Sequence, residues 1–126
     1  GIHLDSLFTI NHPGEEGKKK IRKMMDDLRQ NPPSSFGRLR TLKRIDIFND
    51  VETDLLTKSE KSGPGLPQSN VILLELEKGN RIIARPSGTE PKIKFYFNLC
   101  GDDMEGLENL MSQIKQDLQN FQESFL

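Results

Sequence analysis

Cysteine is nearly missing from this chain, aromatics are few and long apolar runs are absent. Each shortage closes off a class of protein. One cysteine, Cys100, excludes an internal disulfide and cannot assemble a Cys-rich zinc site. The two histidines, His3 and His12, lie nine residues apart in an irregular-looking stretch, so a histidine metal pair is not expected. Aromatic residues make up 6% and do not interleave with bases, which argues against a stacking surface for nucleic acid. No apolar run approaches the roughly 18 residues that span a bilayer. No basic-then-apolar segment opens the chain as given. A soluble, reducing, cytoplasmic setting is the simplest expectation.

What is present fits one domain: 126 residues, 33% hydrophobic, with the apolar positions gathered into periodic segments. Formal charge is −1 overall but uneven. Gly101–Leu126 carries −5 and the first hundred residues +4, a bias suited to a small anion such as a sugar phosphate. A large polyanion usually needs a stronger excess. The first residue is Gly1, not Met, which leaves open whether the chain is a whole protein.

Residues 1–14 read as an extended lead-in. Leu4, Leu7, Phe8 and Ile10 are apolar enough to lie against something, and Asn11-His12-Pro13-Gly14 breaks the chain. Over residues 15–30, Ile21, Met24, Met25 and Leu28 form one helical stripe, which Asn31-Pro32-Pro33 stops. Leu42, Ile45, Ile47 and Phe48 suggest a strand within 38–49. Asp50–Ser69 is polar and broken by Gly63-Pro64-Gly65 and Pro67, a long loop with room for a short strand around Val51–Leu56. Val71–Glu77 and Arg81–Arg85 are strands joined at Lys78-Gly79-Asn80. Ile93, Phe95, Phe97 and Leu99 then alternate with Lys92, Lys94, Tyr96 and Asn98, a strand with one core face. Leu107, Leu110, Met111, Ile114, Leu118, Phe121 and Phe125 stripe a second helix over 103–125, with Asp102 or Asp103 as its N-cap. The pattern predicts an α+β fold: an antiparallel sheet of about four strands with two helices packed on one face.

Between two strands runs Arg85-Pro86-Ser87-Gly88-Thr89-Glu90-Pro91-Lys92-Ile93-Lys94. Arg85 offers a planar fork of donors that suits phosphate oxygens. Ser87 and Thr89 add hydroxyls, and Gly88 lets backbone N–H groups approach an anion, as in a nest. The prolines restrict the backbone on either side. Lys92 and Lys94 follow on the polar face of the next strand. No base stands ready to activate a nucleophile, so binding is a better reading than bond-breaking. The same residues are ordinary turn formers, and Arg85 would serve in a surface ion pair. Composition alone leaves a structural turn open.

The run Arg85-Pro86-Ser87-Gly88-Thr89-Glu90-Pro91-Lys92-Ile93-Lys94-Phe95-Tyr96 resembles the C-terminal signature of the α-D-phosphohexomutases, closest to the phosphoglucomutase/phosphomannomutase type. The resemblance continues through Leu66–Val71 and Gly79–Ile82. It reaches back to the Lys18–Pro33 helix, covering about Gly14 to Leu99. It implies the fourth domain of a four-domain enzyme, with a TATA-box-binding-protein-like fold. Such enzymes interconvert hexose 1- and 6-phosphates through a phosphoserine and a bisphosphate intermediate. By motif position, Arg85, Ser87, Gly88, Thr89 and Lys94 would grip the phosphate that is not reacting. The family's other signatures are absent: no Ser-His-Asn-Pro phosphoserine run, no Asp-Gly-Asp-x-Asp magnesium run and no Gly-Glu-x-Ser-Gly sugar run. The resemblance therefore implies residues 15–126 as a C-terminal domain, after a 1–14 linker from a missing preceding domain. The implied partners are a sugar phosphate and the missing N-terminal domains of the same polypeptide, with no nucleic acid and no membrane. Mg²⁺ is expected for the full-length enzyme, bound outside this chain. Alone, the chain is expected to be inactive. Glucose, mannose and pentose phosphates all fit, because the selecting loop is not here.

A stand-alone anion-binding or nucleic-acid-binding module is the alternative. The nucleic-acid reading rests on two basic clusters, Lys18–Lys23 and Arg38–Arg44, for which a solvated face is the plainer reading. Cys100 is expected as a partly buried structural thiol. Glu90 either shapes the turn or touches the sugar.

Overall fold

A computed structural model describes residues 1–125. Eight strands and two helices follow one another as β1 (Ile2–Asn11), α1 (Gly14–Gln30), β2 (Ser35–Phe36), β3 (Leu39–Asp46), β4 (Val51–Asp54), β5 (Glu60–Ser62), β6 (Ile72–Leu76), β7 (Arg81–Pro86), β8 (Lys92–Gly101) and α2 (Met104–Glu123). All strand pairings are antiparallel, in the order β1-β8-β7-β6-β3-β4-β5, with β2 hooked onto β3. The class is the α+β sandwich anticipated, but the sheet has about twice the strands expected.

The extra strands have identifiable origins. Residues 2–11 are extended, as read from the sequence, and they run the full length of β8, from Ile2 opposite Gly101 to Asn11 opposite Lys92. Ile2, Leu4, Phe8 and Ile10 point to the core while His3, Asp5, Leu7 and Thr9 alternate outward. That is the period of a half-buried strand. The predicted 50–69 loop contains β4, within the Val51–Leu56 stretch given room for a short strand, and β5, which was not anticipated, paired from Val51–Ser62 to Thr53–Glu60. Their residues are polar because this margin of the sheet is largely solvated.

Both helices bury their stripes on the same face. Ile21, Met24, Met25 and Leu28 of α1 and Leu107, Met111, Ile114 and Leu118 of α2 join Ile72, Leu74, Ile82, Ile93, Phe95, Phe97 and Leu99 in one core. Asp103 is the cap of α2: its Oδ1 accepts the Gly106 N–H at 2.6 Å. A short 3₁₀ turn, Glu77–Gly79, links β6 to β7. There buried Asn80 donates from Nδ2 to the Glu77 carbonyl and accepts the Cys100 N–H at 2.9 Å. Cys100 is half-buried, its thiol donating to the Lys78 carbonyl.

Candidate functional site: the loop between β7 and β8

The loop from Arg85 to Lys94 leaves β7 and returns on β8, the strand next to edge strand β1. Register places Arg85 directly opposite Lys94 and Pro86 opposite Ile93. Ala84 and Phe95 face the helices, so by alternation Arg85 and Lys94 stand on the other, open face. The Ser87 N–H donates to the Lys92 carbonyl at 2.9 Å and closes the loop's neck. The His12 N–H donates to the Pro91 carbonyl, also at 2.9 Å, and ties the end of β1 to the loop's base. The His12 Nε2 is buried beneath it without a partner among the described residues.

The loop's interior is organised by one hydroxyl. Ser87 Oγ accepts the N–H of Thr89 at 3.3 Å and of Glu90 at 3.1 Å. This corrects the nest expected from the sequence. No residue from Pro86 to Pro91 has positive φ, and two of the N–H groups that a nest would present turn inward to Ser87. Among the described residues, neither the Ser87 hydroxyl nor the Gly88 N–H donates a hydrogen bond. A Cβ on Gly88 would meet nothing within 4 Å of protein, so no neighbour demands glycine there; its bareness leaves space for something else.

Two hollows meet at this loop. One, about 280 Å³, is lined by Arg85, Ser87, Gly88, Lys94, Glu90 and Lys92, with Pro86 and Tyr96 completing it. Four of the five residues anticipated from the sequence are together here. Its three cations outnumber its one carboxylate, Glu90, whose Oε1 lies 3.4 Å from Lys92 Nζ. Among the described residues, neither Arg85 nor Lys94 has a carboxylate within 4.0 Å. The other hollow, about 330 Å³, opens on the helix side of the same loop. Thr89 belongs there and not with Arg85, facing Lys18 and Arg22 of α1 and Asn70.

Lys18 and Arg22 are therefore site-adjacent residues that a solvated-face reading of the Lys18–Lys23 run passes over. The signal was their spacing. Four residues apart, they share one side of the helix and flank Ile21 and Met25 of the buried stripe. Asn70 is held to α1 by a 2.7 Å hydrogen bond from Arg29 Nη2.

Known sequences decide what this arrangement belongs to. The family model for "Phosphoglucomutase/phosphomannomutase, C-terminal domain" matches residues 15–116. The chain belongs to that family, as its C-terminal domain. A phosphoglucomutase of Staphylococcus aureus strain MRSA252 is 44% identical over 103 residues, which is 81% of this chain and 18% of the relative. A phosphoglucomutase of the bovine strain RF122 / ET3-1 is 43% identical over 99 residues, 79% of this chain and again 18% of the relative. The chain thus spans under a fifth of the length of the curated relatives it matches. No grouping of three or more His, Cys, Asp or Glu residues among those described could hold a metal. The C-terminal domain's own residues do not fit the Mg²⁺ expected of a full-length enzyme. Among the described residues, no helix is long and apolar enough to cross a membrane.

Proposed function

We propose that this domain grips the non-reacting phosphate of a hexose phosphate, within a longer enzyme that interconverts hexose 1- and 6-phosphates. The observation that carries this reading is the Arg85–Lys94 pair, two cations side by side without a carboxylate between them. Phosphate at that point relieves their repulsion and receives charge-assisted hydrogen bonds from both. The Ser87 hydroxyl and the Gly88 N–H, neither donating within the described residues, supply neutral donors. Thr89 approaches the same phosphate only from the far side of the loop, so its role would be to hold the loop or to contact the sugar.

Phosphate held at a distance from the reacting end positions that end, turning binding energy into orientation. Such a domain has no bond to break itself. Catalytic serine and Mg²⁺ belong to the longer enzyme, and no step of the reaction runs through the residues here. A cytoplasmic setting and full-length mutase activity are parts of the same proposal.

The test is a titration of this chain with glucose 6-phosphate, followed by amide NMR. Shifts should concentrate at Arg85–Lys94 and saturate in the millimolar range, since one domain offers only part of a cleft. Shifts spread evenly over all basic residues, or none at the loop in the wild type and Arg85→Ala alike, would overturn the reading. Turnover of glucose 1-phosphate by this chain alone would overturn the assignment of a purely binding role.

A further inference from the structure

A third, larger hollow of about 710 Å³ shares no lining residue with either cavity at the loop. It lies where the Asn31–Ser35 connection crosses the start of β3, facing the β4–β5 turn. We propose that this hollow is a separate binding site for a small phosphorylated metabolite carrying at least two negative groups.

Charge is the first support. Arg38, Arg40, Arg44 and Lys58 line the hollow against two carboxylates, Glu60 and Glu77. Glu77 is already engaged within the wall: its Oε1 accepts the backbone N–H of Arg40 at 2.6 Å. Among the described residues, none of the three arginines has a carboxylate within 4.0 Å. Guanidinium forks without carboxylates are suited to phosphate oxygens.

The walls are also held in place. Thr41 Oγ1 donates to the Pro33 carbonyl at 2.8 Å, and the Thr41 N–H donates to the Ser34 carbonyl at 2.9 Å. Together they pin the proline wall to the floor. Arg44 is half-buried, its Nη2 donating to buried Thr53 Oγ1 at 3.0 Å, so its position is set before any ligand arrives.

Arg38 gives the third support. It sits with Gly37 in the two-residue turn between β2 and β3, where both have positive φ, 54° at Gly37 and 71° at Arg38. Such a turn favours Gly or Asn at both places, and arginine is disfavoured there. The turn is anchored to α2, because the Gly37 N–H donates to Asp117 Oδ2 at 2.6 Å. Arg38 holds this left-handed conformation on the wall of the hollow, as Lys58, with φ 67°, also does. The hollow's volume falls in the usual range for metabolite sites, about 300–1,000 Å³.

Pyrophosphate is the probe, added to this chain at constant ionic strength and followed by amide NMR. Expected are saturable shifts at Ser34–Arg44 and Thr53–Glu60, fitted by a constant different from that of the Arg85–Lys94 shifts. Arg44→Gln should weaken the first set at least tenfold and leave the second unchanged; Arg85→Ala should do the reverse. Arg38→Gly separates binding from folding: it should weaken pyrophosphate while raising the melting temperature. Sodium chloride producing the same shifts, one constant fitting both regions, or Arg38→Gly leaving affinity intact would each overturn the proposal.

Discussion

Arg85 and Lys94 face each other across adjacent strands with no counter-charge between them. Like charges in that relationship cost an isolated sheet about 0.2–1 kcal/mol. Arg85→Gln should therefore leave the unliganded chain as stable as the wild type or slightly more so. Its affinity for inorganic phosphate should fall roughly tenfold or more, as expected for one lost charge-assisted contact of about 1.5–3 kcal/mol. Thermal melts and calorimetric titration of both proteins check the two halves independently. A loss of stability without a loss of affinity would make Arg85 a structural residue.

Helix propensity and packing disagree at Gly17, and packing should win. Alanine in a helix interior is ordinarily favoured over glycine by about 1 kcal/mol. A Cβ at Gly17 would press into the backbone carbonyl of His12, which cannot swing aside as a side chain would. Gly17→Ala is expected to destabilise by about 1–3 kcal/mol, measured by urea unfolding. It should also loosen the base of the loop, because the His12 N–H holds the Pro91 carbonyl.

Asn80 is 3% exposed and uses both ends of its amide, one on the 3₁₀ turn and one on β8. Asn80→Ala strands the Cys100 N–H and should cost about 1–3 kcal/mol in chemical denaturation. Asn80→Asp keeps the acceptor but loses the donor, so it should fall between the wild type and alanine at high pH. An alanine variant as stable as the wild type would show that water replaces the amide fully.

Asp46 links stability to pH. Burial is the largest single influence on its carboxyl and pushes the pKa up. Hydrogen bonds from Asn49 and from Arg29, 3.1 Å away, together outweigh it and leave the group below its ordinary value. A carboxyl lowered in the folded state stabilises the fold above the unfolded pKa of about 3.9, and that contribution is lost as pH falls through the folded value. Asp46→Asn should cost about 1–3 kcal/mol at neutral pH. The gap between variant and wild type should narrow below about pH 4. Denaturation curves at several pH values would show a constant gap if Asp46 were not ionised in the fold.

The helices and the three central strands were legible in the chain itself. A helix closes its hydrogen bonds within four residues, so the stripes of α1 and α2 and the cap at Asp103 carry their own instructions. The clean alternation of β8 and the short link at Lys78–Asn80 did the same for the sheet's centre. The position of the Arg85–Lys94 loop followed from those two neighbours.

Only the tertiary structure decided what pairs across long separations. Residues 2–11 read as extended and partly apolar, but an edge strand exists only when a partner's free N–H and C=O groups stand beside it, and β8 lies far along the chain. β4 lies within the Val51–Leu56 stretch where the sequence left room for a short strand, whereas β5, wholly polar and exposed at the margin of the sheet, gave no apolar signal. Which side of the loop Thr89 takes depends on how Ser87 Oγ folds the turn onto itself. The gathering of Arg38, Arg40 and Arg44 with Lys58 required β3 and the turn after β4 to meet, and charge alone, being non-directional and solvated in the open chain, could not announce it.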